Sequence, residues 1–365
     1  MYLGIEIGGT KLQLGIGPAD GTLRALWRDK VDPAQGAEGI RSRIERGLPE
    51  VLAQAGLERS GLKGVGIGFG GPVDTSSGTV TTSHQVEGWD RFPLVKWFDV
   101  NFGWPAVLHN DADTAAFAEA TFGAGRGFDP VMYVTVGSGI GGGLVCGGKV
   151  YRGCGQGALE IGHLRPGNLP LHIPAPGATI EGVASGFGIE QRATQAIADW
   201  EAATVYVESR FASSAKPTDV AEPAARGPLT HPHERFSALM KLVDHDRSKI
   251  TTRILADAAR QGDRFARELF SDATDTLGWA LAQAVTLLNP GRIVIGGGVS
   301  LIGQELFFDP LRKVCRNETF KPFAGVAEIV PASLGEEVVL YGAVALARAA
   351  FDDETLLRPF IATPE

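Results

Sequence analysis

One short plan is written twice in this chain. Tyr2-Leu3-Gly4-Ile5-Glu6-Ile7 alternates about an apolar face, turns at Gly8-Gly9-Thr10-Lys11 and resumes as Leu12 to Ile16. Far downstream, Val131 to Val136 turns at Gly137-Ser138-Gly139 and resumes as Ile140-Gly141-Gly142-Gly143-Leu144-Val145. Each reads as a β-hairpin with a glycine-rich turn. Two such units predict an internally duplicated α/β protein with a cleft between its halves. Glycine allows φ > 0 and lets backbone N–H groups come close to a phosphate. Either hairpin alone is most simply a turn, but the pair, with Thr10 and Lys11 in the first, favours phosphate binding from both sides of a cleft.

Two other phosphate patterns fail on context. Gly137-x-Gly139-x-x-Gly142 spells the dinucleotide fingerprint, yet that motif must open a helix and Leu144-Val145-Cys146 continues a strand. Gly143-x-x-x-x-Gly148-Lys149 nearly spells a P-loop, yet Val150 stands where a Ser or Thr hydroxyl would hold Mg²⁺.

A polar knot, His109-Asn110-Asp111-Ala112-Asp113, separates the apolar run Ala106-Val107-Leu108 from an alanine-rich helical pattern that Gly123 stops. Asp111 therefore falls at a strand-to-helix junction, and open α/β sheets bind ligands at the carboxyl ends of their strands. The competing assignment is that Asp111 or Asp113 only caps the helix. Gly70-Gly71-Pro72 follows another short apolar strand, Gly64 to Phe69, and exposes backbone groups suited to a small polar ligand. Glu160, His163 and Glu181 lie in otherwise small and apolar segments. Carboxylates accept hydroxyls and imidazole can donate, which is the equipment for reading a sugar. Gly296-Gly297-Gly298 after the strand Arg292 to Ile295 leaves a flat opening where an adenine could lie against backbone.

Elsewhere the patterns predict a third strand over 22–28 and helices over 39–55, 92–98, 250–270, 271–288 and 338–351, with a further strand over 326–330. From about 202 to 248 the pattern weakens, as expected of a lid, an arm or a surface insert. Pro232 keeps His231 and His233 off a shared helix face, so no metal site is expected there.

A chain of 365 residues is long enough for two domains. Its net charge of −8 argues against broad nucleic-acid binding, which needs concentrated Lys and Arg. No apolar run approaches a membrane span, and Glu6 interrupts the first apolar segment, so neither a membrane partner nor a signal peptide is expected. Cys146, Cys154 and Cys315 are too few and scattered for a disulfide framework. Together these predict a cytoplasmic protein, in which the sequon at Asn317 has no meaning.

In this order, Ile7 to Lys11, Gly70 to Asp74, Asn110-Asp111-Ala112, Gly137 to Gly143, Glu160 to His163, Glu181 to Gly186 and Gly296 to Ser300 resemble the ROK family of sugar kinases and sugar-responsive repressors. The resemblance covers nearly the whole chain outside about 202–248. It implies an α/β, two-lobed actin-like ATPase (ribonuclease H-like) fold with duplicated mixed five-stranded sheets and flanking helices. One lobe would comprise 1–114 plus 340–365, and the larger one 115–339. By the same resemblance Asp111 is the catalytic base, and Gly71, Asn110, Glu160, His163 and Glu181 meet the sugar. Gly8, Gly9, Thr10 and Lys11 form one phosphate loop, Gly137, Ser138, Gly139 and Gly141 the other, and Gly297 with Gly298 the adenosine loop. The activity implied is ATP-dependent phosphorylation of a hexose hydroxyl, glucokinase-like, by a homodimer or homotetramer.

The chain departs from the family pattern in places. Glu6 stands for an Asp expected near hydrated Mg²⁺, Gln85 for an Asn, and Ser138 for a Thr. Three cysteines that in the family bind Zn²⁺ with the residue matching His163 are replaced by His172, Pro174 and Thr179, so no structural zinc is expected. The alternative function is a non-catalytic sugar sensor or a transcriptional regulator lacking a DNA-binding domain, since strand residues begin at Tyr2 with no helix-turn-helix ahead of them. Which hexose is bound stays open, because these sugars differ by single stereocentres or substituents.

Overall fold

The structure is a computed structural model that describes residues 1–83, 85–154, 157–166, 178–213 and 237–352, with side chains of the helix ending at 213 described only to 202. The chain opens with β1 (Tyr2–Ile7), β2 (Lys11–Gly17) and β3 (Ala25–Lys30), then α1 (Gly36–Ala55) and β4 (Val65–Phe69). A two-stranded ribbon, β5 (Val73–Asp74) and β6 (Thr79–Val80), precedes α2 (Leu94–Phe102), β7 (Ala106–Asn110) and α3 (Asp111–Thr121). The second half repeats the plan with β8 (Val131–Val136), β9 (Ile140–Cys146) and β10 (Lys149–Val150). Helices α4 (Ile180–Ala184), α5 (Gly186–Ser213), α6 (Ser237–Leu242), α7 (Thr252–Arg260) and α8 (Arg264–Leu288) lead to β11 (Arg292–Gly296), α9 (Asp309–Glu318), β12 (Glu328–Pro331) and α10 (Val338–Phe351).

Two five-stranded sheets result, in the orders β3-β2-β1-β4-β7 and β10-β9-β8-β11-β12. In each, the hairpin strands pair antiparallel and the two later strands join parallel. The sheets therefore share one topology, and the duplication expected from the hairpins is real. The register closes each hairpin tightly, with Ile7 opposite Leu12 and Val136 opposite Ile140.

Between the sheets lies a pair of helices. α10 packs on β1, β4 and α3, while α3 packs on β8 and β9. These contacts are close because small residues line them. A methyl group at Gly143 of β9 would fall 2.7 Å from Ala116 Cβ and 2.9 Å from Ala112 O of α3. One at Gly66 of β4 would collide with Ala343 O of α10, and one at Gly342 of α10 with Thr114 O of α3. The alanine-rich start of α3 is thus an adaptation for lying against a glycine-bearing strand.

Glu119 on α3 is fully buried. Its carboxylate accepts the Ser333 and Leu334 N–H groups, each at 2.9 Å, and the Ala124 N–H at 2.7 Å. A buried carboxylate is tolerable only when bonded in this way. The loop it holds, between β12 and α10, also reaches the first sheet: Lys11 Nζ donates to Glu336 O at 3.2 Å and Arg28 pairs with Glu337.

Several sequence expectations shift. The third strand begins at Ala25, not at 22, and the strand expected over 326–330 is Glu328–Pro331. The two long helices divide at 261–263, not at 270, because Gly262 adopts φ +94° and Asp263 accepts the Ala266 N–H at 2.8 Å, ending one helix and capping the next. Part of the 202–248 segment is helical, in the end of α5 and in α6, while His231 and His233 lie outside the described residues. So do His172 and Pro174, two of the positions weighed for zinc; Thr179 instead caps α4, accepting the Gly182 N–H at 3.1 Å. Among the described residues no helix is long and apolar enough to cross a membrane.

Candidate active site

The site forms where β7 of the first sheet hands over to α3, which rests on the second. Asn110, and neither aspartate, is the cap: its Oδ1 accepts the Ala112 N–H at 2.8 Å and its Nδ2 donates to Gly71 O at 3.0 Å. One side chain thereby satisfies the helix start and ties it to the Gly70-Gly71 turn. Asp111 is left in the first helical turn, where a carboxylate is favoured by the helix dipole. Its Oδ1 accepts the Ala112 N–H at 2.8 Å. Its Oδ2 lies by the first glycine turn, since a methyl group at Gly70 would sit 3.5 Å from both Asp111 Oδ2 and Gly8 Cα. Burial pushes the Asp111 carboxyl up to about 6 against the pull of the Ala112 N–H, and the charge of Glu160 adds to the rise.

The first turn is closed by Gly8 N–H donating to Lys11 O at 2.9 Å and is anchored by Gly70 N–H to Ile7 O at 2.8 Å. Thr10 at its tip is exposed, and Lys11 Nζ reaches Glu6 Oε1 at 3.0 Å. Glu6 Oε2 accepts from Gln13 Nε2 at 3.0 Å. Burial raises Glu6 to about 6, Lys11 opposes the rise, and the Asp111 charge adds to it. A direct metal bond to Glu6 would compete with both partners. An ion contacted through its own water fits better, as Mg²⁺ keeps most of its hydration and each carboxylate oxygen has a second lone pair.

The second turn is closed by Gly137 N–H to Gly139 O at 2.9 Å, with Ser138 at its tip and Gly141 already in β9. Glu181, in the first turn of α4, accepts the Ile140 N–H through Oε2 at 2.7 Å. Because β11 lies beside β8, Gly297 abuts the base of this turn; at φ +85° a methyl group there would fall 2.5 Å from the Val136 carbonyl. Gly298 faces open space. The positions expected to hold phosphate and adenosine on this side are therefore contiguous. Glu160 and His163, both exposed, stand at the start and end of a 3₁₀ turn whose Ile161 and Gly162 are buried, and His163 N–H donates to Glu160 O at 3.0 Å.

Three contacts around the site have no signature in the sequence. The Gln85 side chain lies across the first turn, where a methyl group at Gly9 would overlap its Oε1. Arg152 Nη2 lies 2.8 and 3.0 Å from the two ring nitrogens of buried His109. Burial, helped by Arg152, drives His109 down to about 3, so the imidazole is neutral. Asp113, also buried, is raised to about 7 by burial against the pull of Arg152, and its Oδ1 finds no partner among the described residues. The residues Gln85, His109 and Asp113 stand out in the sequence, but what they touch does not. The His109–Arg152 contact joins segments far apart in the chain and leaves no local pattern.

Two sheets of one topology, bridged by a helix pair, define an actin-like ATPase fold. The sequence matches the ROK family over residues 2–226 and 236–350, and the chain belongs to that family. It is 30% identical over 347 residues to a glucokinase of Thermotoga maritima, covering 94% of this chain and 96% of that protein. It is 31% identical over 352 residues to a glucokinase of Streptomyces coelicolor, covering 95% and 98%. Its fold superposes with a TM-score of 0.70 on a ROK family glucokinase from Streptomyces griseus in complex with glucose and AMPPNP, at 31% identity over 95% of this chain and 99% of that one.

Proposed function

We propose that the protein is an ATP-dependent hexose kinase, glucokinase-like in its substrate class. The observation that carries this reading is the placement of Asp111: one carboxylate oxygen is fixed on the helix start and the other lies beside the first glycine turn, on the helix that bridges both sheets. The glucokinases to which the chain is similar over nearly its whole length support the choice of substrate.

In this reading Asn110, Gly71, Glu160, His163 and Glu181 hold the hexose, and Gly8 to Lys11 with Gly137 to Gly141 receive the phosphates of ATP. Gly297 and Gly298 form a shelf for the adenosine. A sugar hydroxyl gives its proton to Asp111 Oδ2 as its oxygen bonds to the γ-phosphorus, and the bond to the β–γ bridging oxygen breaks to release ADP. Positioning and charge balance supply most of the acceleration. Mg²⁺, held through water near Glu6, would neutralise phosphate charge when bound. The lobe built on the first sheet and the lobe built on the second would close on the substrates.

The base must be ionised to accept a proton. A carboxyl raised to about 6 should therefore make kcat/KM fall about tenfold for each pH unit below 6 and level off above it. An ordinary carboxylate would put that limb near pH 4. An ADP-release assay across a panel of hexoses with ATP and Mg²⁺ tests the function itself. Saturable turnover with one hexose preferred is expected, whereas hexose binding without turnover would favour a sugar sensor.

A further inference from the structure

We propose that Glu181 is a positioning residue for the second glycine turn, gripping it with one carboxylate oxygen while the other serves the hexose, so that sugar and nucleotide affinities are coupled through one side chain. The inference rests on the kinase reading above. It starts from a bond that reading does not require: Glu181 Oε2 accepts the Ile140 N–H at 2.7 Å, at the point where the turn becomes β9. The same oxygen would lie only 2.6 Å from a methyl group at Gly139, so the carboxylate covers the turn as well as bonding to it.

The residues after Glu181 reinforce the grip. Gly186 N–H donates to Gly137 O at 2.8 Å and Phe187 N–H to Ser138 O at 3.3 Å, so the stretch from α4 into α5 is bonded to the turn at three successive places. α4 also packs against the 3₁₀ turn that runs from Glu160 to His163. The short helix that carries Glu181 thus touches both the segment expected to read the sugar and the segment expected to receive phosphate. A turn built of Gly137, Ser138 and Gly139 has wide conformational freedom, and a charge-assisted bond at its exit removes much of it. A carboxylate has two oxygens and about four lone-pair sites, enough for the turn and a hydroxyl at once. A hexose hydroxyl that orders the carboxylate therefore also orders the turn.

Calorimetric binding of AMPPNP, with and without the hexose preferred in the panel, tests this on the full chain. Wild type should bind AMPPNP more tightly when the hexose is present. Glu181→Gln keeps an acceptor for the Ile140 N–H and should retain sugar-free AMPPNP affinity within about twofold while weakening the hexose. Glu181→Ala should lose on the order of tenfold in sugar-free AMPPNP affinity, together with the tightening by hexose. Glu181→Asp, one methylene short, should follow the Ala variant and serves if Ala does not fold. Exchange of the Ile140 amide hydrogen should be slow in wild type and Gln, and fast in Ala and Asp. Unchanged AMPPNP affinity and coupling in the Ala or Asp variant would overturn the proposal and leave Glu181 as a sugar ligand alone. A wild type that binds neither hexose nor AMPPNP would instead sink the kinase reading.

Discussion

Asp111→Asn should lower kcat by about 10³-fold while hexose affinity changes no more than a few-fold. Asparagine keeps the shape of the side chain and an oxygen for the Ala112 N–H, so the helix start should stand. What disappears is the basicity of the atom beside Gly70 and Gly8. Asp111→Ala should be at least as inactive. The measurement is turnover by ADP release together with hexose binding on the same preparation. Near wild-type kcat in either variant would end the assignment of Asp111 as base, and equal losses in binding and turnover would show that the change had damaged the pocket instead.

A large effect on stability is expected away from the site, at Gly342→Ala. In an open helix interior alanine is favoured over glycine by about 1 kcal/mol. Here the added methyl collides with Thr114 O and falls 2.8 Å from Thr114 C and 2.9 Å from its Cγ2, so α10 must move off α3. Overpacking of this kind costs about 3 kcal/mol, which outweighs the helix preference and leaves a net loss of about 2 kcal/mol. Urea denaturation reads it as a lower midpoint. Because α10 also packs on β1 and β4, the variant should lose activity as well as stability. A midpoint equal to or above that of wild type would mean that the helices are less tightly crossed than described.

The difference between these predictions marks what was legible in the sequence. Hairpin turns, strand alternation and the span of α10 are local, so Gly8 to Lys11, Gly137 to Gly139 and 338–351 could be read off directly. The crossing of α10 over α3 could not, because Gly342 and Thr114 meet only through the fold. At the helix start the signal was ambiguous rather than absent. Asn110, Asp111 and Asp113 are all good capping types; the Ala112 N–H reaches both Asn110 and Asp111, and it is the extended backbone of Asn110, with its side chain also reaching Gly71, that makes Asn110 the cap and puts Asp111 in the first helical turn. At 261–263 the cues were present in Gly262 and Asp263, but the helical periodicity on both sides masked them. The Glu181 grip on Ile140 and the Arg152 contact with His109 span 41 and 43 residues, beyond any pattern of neighbouring positions.

The placement of α10 also orders events during synthesis. The strands of the first sheet leave the ribosome early, yet the helix that covers β1 and β4 is translated only after every strand of the second sheet. Until then the faces around Gly4 and Gly66 stand uncovered, with glycines in place of bulky side chains that would shield them. The half made first is finished last, and a nascent chain of this kind is expected to hold a chaperone on its N-terminal strands until residues 338–351 emerge.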